Sequence, residues 1–314
     1  MASSSSNVTD VAESARTHDC KLCGGRTAAF MVRNRFDILR CQSCAFMFAV
    51  LPAGLDLDRI YQDDSYWAEG GDLHYLDGYD DYWRGVREFY EARLPRIRRL
   101  TKGTRMLEVG CADGRFLAMA RARGFEVSGI ELSDTMRAEC RRRLGIETFK
   151  SVPEALATGT RYDCVVMFEV IEHVADPIAF LKQVRELLRP GGVVALSTPN
   201  FGCDEAVSKP QEFEHFAPPA HVSYFVPETL SACIAKAGFR TVETVPCFAG
   251  QELPIPEYIA AVLRPLRKGK RRLRPGGLIG KLIKNHLKRR MLKLPDADKD
   301  MRLAHGFELY AEAV

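Results

Sequence analysis

Two groups of residues in this chain have the types and spacing to do chemistry. Cys20-x-x-Cys23 and Cys41-x-x-Cys44, with 17 residues between the pairs, have the spacing of four thiolates around a tetrahedral zinc ion. Four thiolates leave no open coordination position, so this spacing predicts a structural metal. The second group is the run Glu108-Val109-Gly110-Cys111-Ala112-Asp113-Gly114, with Glu131 placed 21 residues after Gly110. Glycines let the backbone approach a ligand closely where a parallel strand ends. An acid opening such a loop repels a pyrophosphate and suits an ammonium group, and Glu131 is spaced to accept hydrogen bonds from ribose hydroxyls.

Two common ligands are excluded. Positions 110, 112 and 115 are Gly, Ala and Arg, a poor match to the dinucleotide fingerprint, and no Gly-Lys-Ser or Gly-Lys-Thr occurs for a phosphate loop. Ammonium, ribose and adenine together describe S-adenosylmethionine.

The elements that must position these residues are legible as periodicity. Apolar runs at 106–109, 127–130, 162–167 and 193–197 read as buried parallel strands, separated by helices at 115–123, 134–144 and 177–188. Ser133 and Asp176 are placed as helix caps, and Pro190-Gly191-Gly192 predicts a hard stop. A helix at 227–237, a strand at 240–245 and an alternating terminal strand at 307–313 complete the pattern. The fold class is α/β, a doubly wound and mostly parallel sheet with an antiparallel last strand and a small N-terminal zinc ribbon. The organisation expected is a flexible tail (1–17), the ribbon (18–50), an aromatic-rich linker leading into a helix that Pro95 kinks (51–100), the cofactor-binding domain (101–250), a basic, partly helical insertion (251–304) and the last strand (305–314).

Composition agrees. The chain has 314 residues, 46% hydrophobic and 27% charged, which is ordinary globular chemistry and excludes a disordered or fibrous protein. There is neither an 18-residue apolar run nor a basic, apolar leader, so a cytoplasmic protein is expected. Net charge is +4, yet Arg264 to Lys293 holds thirteen Lys or Arg and no acid, so the rest of the chain carries −9.

At this point the chain resembles the class I S-adenosylmethionine-dependent methyltransferases. The resemblance rests on the 106–114 loop, Gly129-Ile130-Glu131-Leu132-Ser133, Tyr162-Asp163, Phe168-Glu169-Val170-Ile171-Glu172-His173-Val174 and Leu188-Arg189-Pro190-Gly191-Gly192. It implies that Glu108, Gly110, Cys111, Asp113 and Gly114 surround the methionine part of the cofactor, Glu131 and Leu132 the ribose and adenine, and Phe168 and Glu169 the sulfonium. Ser151 and Val152 fall where an adenine contact belongs, and Tyr79 is expected to close over the cofactor. A ribbon followed by a Tyr/Trp-rich linker is similar to bacterial methyltransferases of sugars and natural products. The sugar C-methyltransferases among them carry a further C-terminal domain, and a Glu where this chain has Ala220, so O-methylation is the preferred reaction.

Methyl transfer to a hydroxyl needs a positioned base. His221, in the His-x-x-Tyr-Phe match that ends the loop 199–226, is the first candidate and His215 the reserve. Glu169, Glu172 and His173 also resemble the magnesium site of small-RNA and quinone O-methyltransferases. Glu-His at this place is frequent in metal-free relatives, so magnesium is the less favoured reading. The basic amphipathic stretch 278–293 could meet an anionic membrane surface, a sugar diphosphate or RNA. The function expected is O-methylation of a nucleotide- or lipid-linked sugar or other small hydroxylated metabolite. The alternatives are an RNA methyltransferase gripping RNA with ribbon and basic helix, a sugar C-methyltransferase, and a non-catalytic zinc-ribbon scaffold.

Overall fold

The computed structural model describes residues 18–62, 75–146, 148–247, 301–302 and 304–314. The tail 1–17, the Tyr79 side chain and the basic segment 264–293 lie outside the described residues.

The cysteine unit begins with strands β1 (Thr27–Arg33) and β2 (Phe36–Cys41), an antiparallel hairpin turned by Asn34 and Arg35, both at positive φ (50° and 68°). A short β3 (Met47–Ala49) follows, then helices α1 (Leu57–Gln62) and α2 (Tyr75–Leu100). Helix α2 runs through Pro95. The alternation expected from periodicity then appears in order: β4 (Arg105–Val109), α3 (Arg115–Arg121), β5 (Glu126–Ile130), α4 (Asp134–Leu144), α5 (Val152–Ala157), β6 (Tyr162–Phe168), α6 (Pro177–Leu187), β7 (Leu188–Pro199), α7 (Asp204–Ser208), β8 (Ser223–Tyr224), α8 (Pro227–Lys236), β9 (Phe239–Cys247) and β10 (Gly306–Ala313).

The main sheet has the order β5-β4-β6-β7-β10-β9, with β10 antiparallel to both neighbours. Side chains of the central strands alternate between two cores. Met106, Cys164, Val166 and Phe168 pack under α2 and α3 with Leu94, Ile97 and Phe116. Leu107, Val109, Val165 and Met167 pack under α6 and α8 with Leu181, Val184, Leu230 and Ile234. Burial on both faces explains why these strands are almost continuously apolar.

Three expectations are corrected. Pro190-Gly191-Gly192 does not end an element before the strand begins; β7 starts at Leu188 and absorbs the tripeptide as a register irregularity, with Gly191 at φ 71°. The segment 148–149 forms a single parallel bridge, Ile130 to Phe149. The inward and outward alternation of β10 hides a buried acid: Glu308 points under α2, not to water. Finally, the ribbon's strands continue into the main domain, because β8, from the loop after β7, pairs with β3 and completes a sheet of order β1-β2-β3-β8. Sequence periodicity cannot announce a two-residue strand whose partner lies about 175 positions away.

Candidate active site

The loop after β4 lies at the carboxyl edge of the sheet, and its shape demands glycine at two points. Gly110 has φ 74°, and a Cβ there would stand 2.8 Å from Val170 Cγ2. Gly114 has φ 81° at the start of α3, and a Cβ would stand 2.7 Å from both Cys140 Sγ and Leu144 Cδ1. The Cys111 side chain turns into a buried cluster with Leu117 and Cys140, so only its backbone is offered to a ligand. Asp113 is buried and paired with Arg115 at 2.7 Å and Arg143 at 3.6 Å.

Glu131 is the strap of this loop. Its Oε2 accepts from the Ala112 amide and its Oε1 from the Ser133 amide, both at 2.9 Å, while Ser133 caps α4. Burial still raises its pKa, the three backbone donors opposing that shift. Leu132 is partly exposed beside it. Ser151 caps α5 through Glu154 N, and Val152 is buried in the core. Glu131→Ala removes the strap, and is expected to weaken S-adenosylhomocysteine binding by about 10- to 100-fold, the worth of one or two charged hydrogen bonds. Calorimetric titration checks this, and an unchanged affinity would remove Glu131 from the site.

Across β6, Phe168 stacks edge-on against Phe116 and Tyr90, at 5.0 and 5.7 Å between centroids. Glu169 follows at φ 56° and accepts from Ser197 Oγ at 2.7 Å. Glu172 is completely buried; Thr198 donates to its Oε2, and its Oε1 has no partner. Burial first, and Glu169 second, hold the Glu172 carboxyl well above its ordinary range.

His221, the first candidate base, comes to this edge together with His173. His221 Nδ1 lies 2.8 Å from the His215 carbonyl oxygen, and His173 Nδ1 lies 2.9 Å from the Ala220 carbonyl oxygen. A carbonyl only accepts, so both rings carry the proton on Nδ1, leaving each Nε2 with its lone pair. Tyr61, which the sequence did not single out as a site residue, donates to the same Ala220 carbonyl and lies 2.6 Å from His173 Nδ1. The His173 and His221 rings meet edge to face at 4.8 Å. Ligand atoms of Glu172, His173 and His221 lie within 4.8 Å of one another, so one carboxylate and two imidazoles could hold a divalent cation, and the unpartnered Glu172 Oε1 fits that use.

His215 stacks on His221 at 6.0 Å, and burial, then His221 and His305, hold its pKa down at about 3. Burial and His221 likewise bring His173 to about 3. The sign follows from linkage: a depressed imidazole contributes stability in full above the unfolded value of about 6.5 and loses it as pH falls toward 3. His215→Gln cannot take up that proton. Relative to the wild type it therefore gains up to about 2 kcal/mol between pH 7.5 and pH 5. Urea titrations at the two pH values give the comparison; a constant difference would mean His215 titrates normally in the fold.

The four cysteines also converge. Cys20 Sγ lies 3.6 Å from Cys44 Sγ, and Cys23 Sγ lies 3.5 Å from Cys41 Sγ. Sulfurs at about 2.3 Å from a tetrahedral zinc stand about 3.8 Å apart, so the spacing fits. Backbone amides of Leu22, Gly25, Ser43 and Cys44 point at the sulfurs at 3.4 Å, the pattern expected for thiolates. This unit reaches the histidine loop directly. Ala49 N donates to Val222 O at 3.0 Å, Val222 N to Glu172 O at 2.8 Å, and Asn34 Nδ2 to Pro218 O at 2.9 Å.

Residues 82–244, more than half of the chain, match the methyltransferase-domain family. The chain belongs to that family. Among similar proteins, this methyltransferase-family chain is 40% identical over 106 residues to the ubiquinone biosynthesis O-methyltransferase of Cereibacter sphaeroides (strain KD131), covering 32% of this chain and 42% of that protein. It is 35% identical over 140 residues to the protein of the same name from Parvibaculum lavamentivorans, covering 38% and 54%. The matches thus span about half, or less, of those relatives. A methyltransferase chain in the complex with the Haloferax volcanii Trm112 activator is 15% identical, with a TM-score of 0.50 over 80% of this chain and 96% of that one, a likeness of fold. Loop, strap and sheet are those of an S-adenosylmethionine-dependent methyltransferase. No helix among the described residues is long and apolar enough to cross a membrane.

Proposed function

We propose that this chain transfers a methyl group to a hydroxyl of a small acceptor, with His221 as general base and a zinc ion in the four-cysteine site. The observation that carries the reading is the His221 ring, held by Nδ1 against the His215 carbonyl so that Nε2 keeps its lone pair at the carboxyl edge, beside His173 and Glu172. Bound S-adenosylmethionine would supply a methyl carbon already activated by its sulfonium. The chain's part is to hold the acceptor in line and to take its proton at His221 Nε2 as the carbon–oxygen bond forms. Burial keeps the His173 and His215 rings neutral, so neither of them opposes charging of His221.

The class of hydroxyl follows from two supports. The cysteine unit and its aromatic linker favour a sugar on a nucleotide or lipid carrier, and the relatives named for ubiquinone biosynthesis favour an acceptor of that pathway's kind. A second mechanistic reading is favoured by the unpartnered Glu172 Oε1: with His173 and His221 it would hold a divalent cation that lowers the pKa of the acceptor hydroxyl.

The test is calorimetry with S-adenosylhomocysteine, followed by methyl-transfer assays on nucleotide sugars, hydroxylated quinone precursors and total RNA, each before and after chelation and magnesium return. Transfer to the first or second supports the proposal and names the class. Transfer to RNA alone, or no cofactor binding, overturns it. Activity lost on mild chelation and restored by magnesium moves the proton step from the free imidazole to the metal site.

A further inference from the structure

Helix α1 is six residues long and buries none of them. Its Tyr61 nevertheless reaches two residues that stand 112 and 159 positions further along the chain. The phenol donates to the Ala220 carbonyl at 3.0 Å and lies 2.6 Å from His173 Nδ1, which donates to the same carbonyl at 2.9 Å. Two protons serve these three atoms: the carbonyl accepts both with its two lone pairs, and the phenol oxygen keeps a lone pair for the imidazole N–H. The Tyr61 ring also meets the His173 ring edge-on at 5.2 Å, and His173 meets His221 in the same way at 4.8 Å.

Ala220 is the residue before His221. The residue after it, Val222, is held through its carbonyl by Ala49 N at the end of β3. The segment 50–56 carries the chain from β3 to α1, so the N-terminal unit grips the histidine loop on both sides of His221. The two grips differ in what they ask of the sequence. That on Val222 is backbone to backbone and needs no particular side chain. That on Ala220 needs a hydroxyl at tyrosine's reach, since phenylalanine would pack on His173 equally well and leave the carbonyl unheld. Holding this carbonyl fixes the Ala220–His221 peptide, whose amide donates to Ala217 O at 3.0 Å, while Tyr61 and His173 together fix the face on which the His221 ring leans.

We propose that Tyr61 is a positioning residue for methyl transfer, its hydroxyl clamping the Ala220 carbonyl and the His173 ring so that His221 is held in line for the acceptor's proton. In this role Tyr61 touches neither acceptor nor cofactor and takes up no proton itself; it acts through His221. This inference rests on the reading of His221 as the general base.

Tyr61→Phe deletes the hydroxyl and keeps the ring. It is compared with wild type, His221→Gln and the double variant for kcat, acceptor KM and S-adenosylhomocysteine affinity, using the nucleotide sugar or hydroxylated quinone precursor that the wild type methylates. Tyr61→Phe should lower kcat by about 5- to 30-fold, as for a base displaced by the loss of one hydrogen bond, and leave KM and cofactor affinity within about twofold. In the His221→Gln background the same substitution should change kcat by less than about twofold, because no base remains to be placed. A readout that needs no acceptor is the imidazole spectrum of protein carrying ¹⁵N-histidine: Tyr61→Phe should shift or broaden the His173 and His221 ring signals, each assigned from its Gln variant. Wild-type kcat in Tyr61→Phe overturns the proposal, as do unmoved His221 signals. An equal loss of kcat in both backgrounds overturns it too, since the hydroxyl would then act apart from His221. Wild-type kcat in His221→Gln overturns the general-base reading instead, and so is distinguishable.

Discussion

Replacing His221 by alanine lowers kcat near neutral pH by about 10²- to 10⁴-fold, the range that a positioned general base contributes, and leaves the dissociation constant for S-adenosylhomocysteine within about twofold of wild type. The split is expected because His221 belongs to the loop before β8, whereas Glu131, expected to face the cofactor's ribose, straps the loop on the far side of β4. His221→Gln separates chemistry from scaffolding. Its amide can still donate to the His215 carbonyl that now accepts from Nδ1 at 2.8 Å, so the loop keeps its anchor while the proton acceptor is gone. Both variants should therefore lose kcat, and added imidazole should restore part of it in the alanine variant. A kcat for His221→Gln equal to wild type would show that the ring serves only to pin the loop.

Removing zinc is expected to cost activity without emptying the cofactor site. A four-thiolate zinc site commonly contributes about 10–16 kcal/mol of folding free energy, so the cysteine unit will not hold its strands without the ion. Strand β3 carries the Met47–Tyr224 and Phe48–Ser223 pairing, and Ala49 N holds Val222 O, so losing β3 releases the chain on the carboxyl side of His221. Phe46 also packs on Phe225 at 5.2 Å. The main sheet keeps its own core under α2 and α3. In zinc-stripped protein, or in Cys41→Ser, kcat should fall by more than about tenfold while S-adenosylhomocysteine affinity changes by less than about threefold. Zinc content by mass spectrometry, methyl transfer and titration are the three readouts, and zinc return should restore the stripped protein. Full activity in metal-free protein would reduce the ribbon to an appendage.

By itself the sequence determined the parallel core, the cofactor loop and the cysteine site, because each is written in local terms. Buried strands are continuous apolar runs, the Gly110 and Gly114 conformations need glycine where they stand, and cysteine pairs advertise themselves by spacing. What only the tertiary structure decided is everything that depends on contacts between distant segments. A periodicity argument marks Glu308 as the polar side of a terminal strand, yet α2 covers that side and pairs it with Arg93, 215 residues away in sequence. The same argument says nothing of Ser151, whose hydroxyl accepts from the backbone of Glu154 as a helix cap. It separates ribbon from catalytic loop, yet β8 joins them through two residues too few to leave a pattern. Buried polar partners and two-residue strands cost or contribute free energy only after the sheet has folded, and a linear sequence carries no signal of which surfaces will then meet.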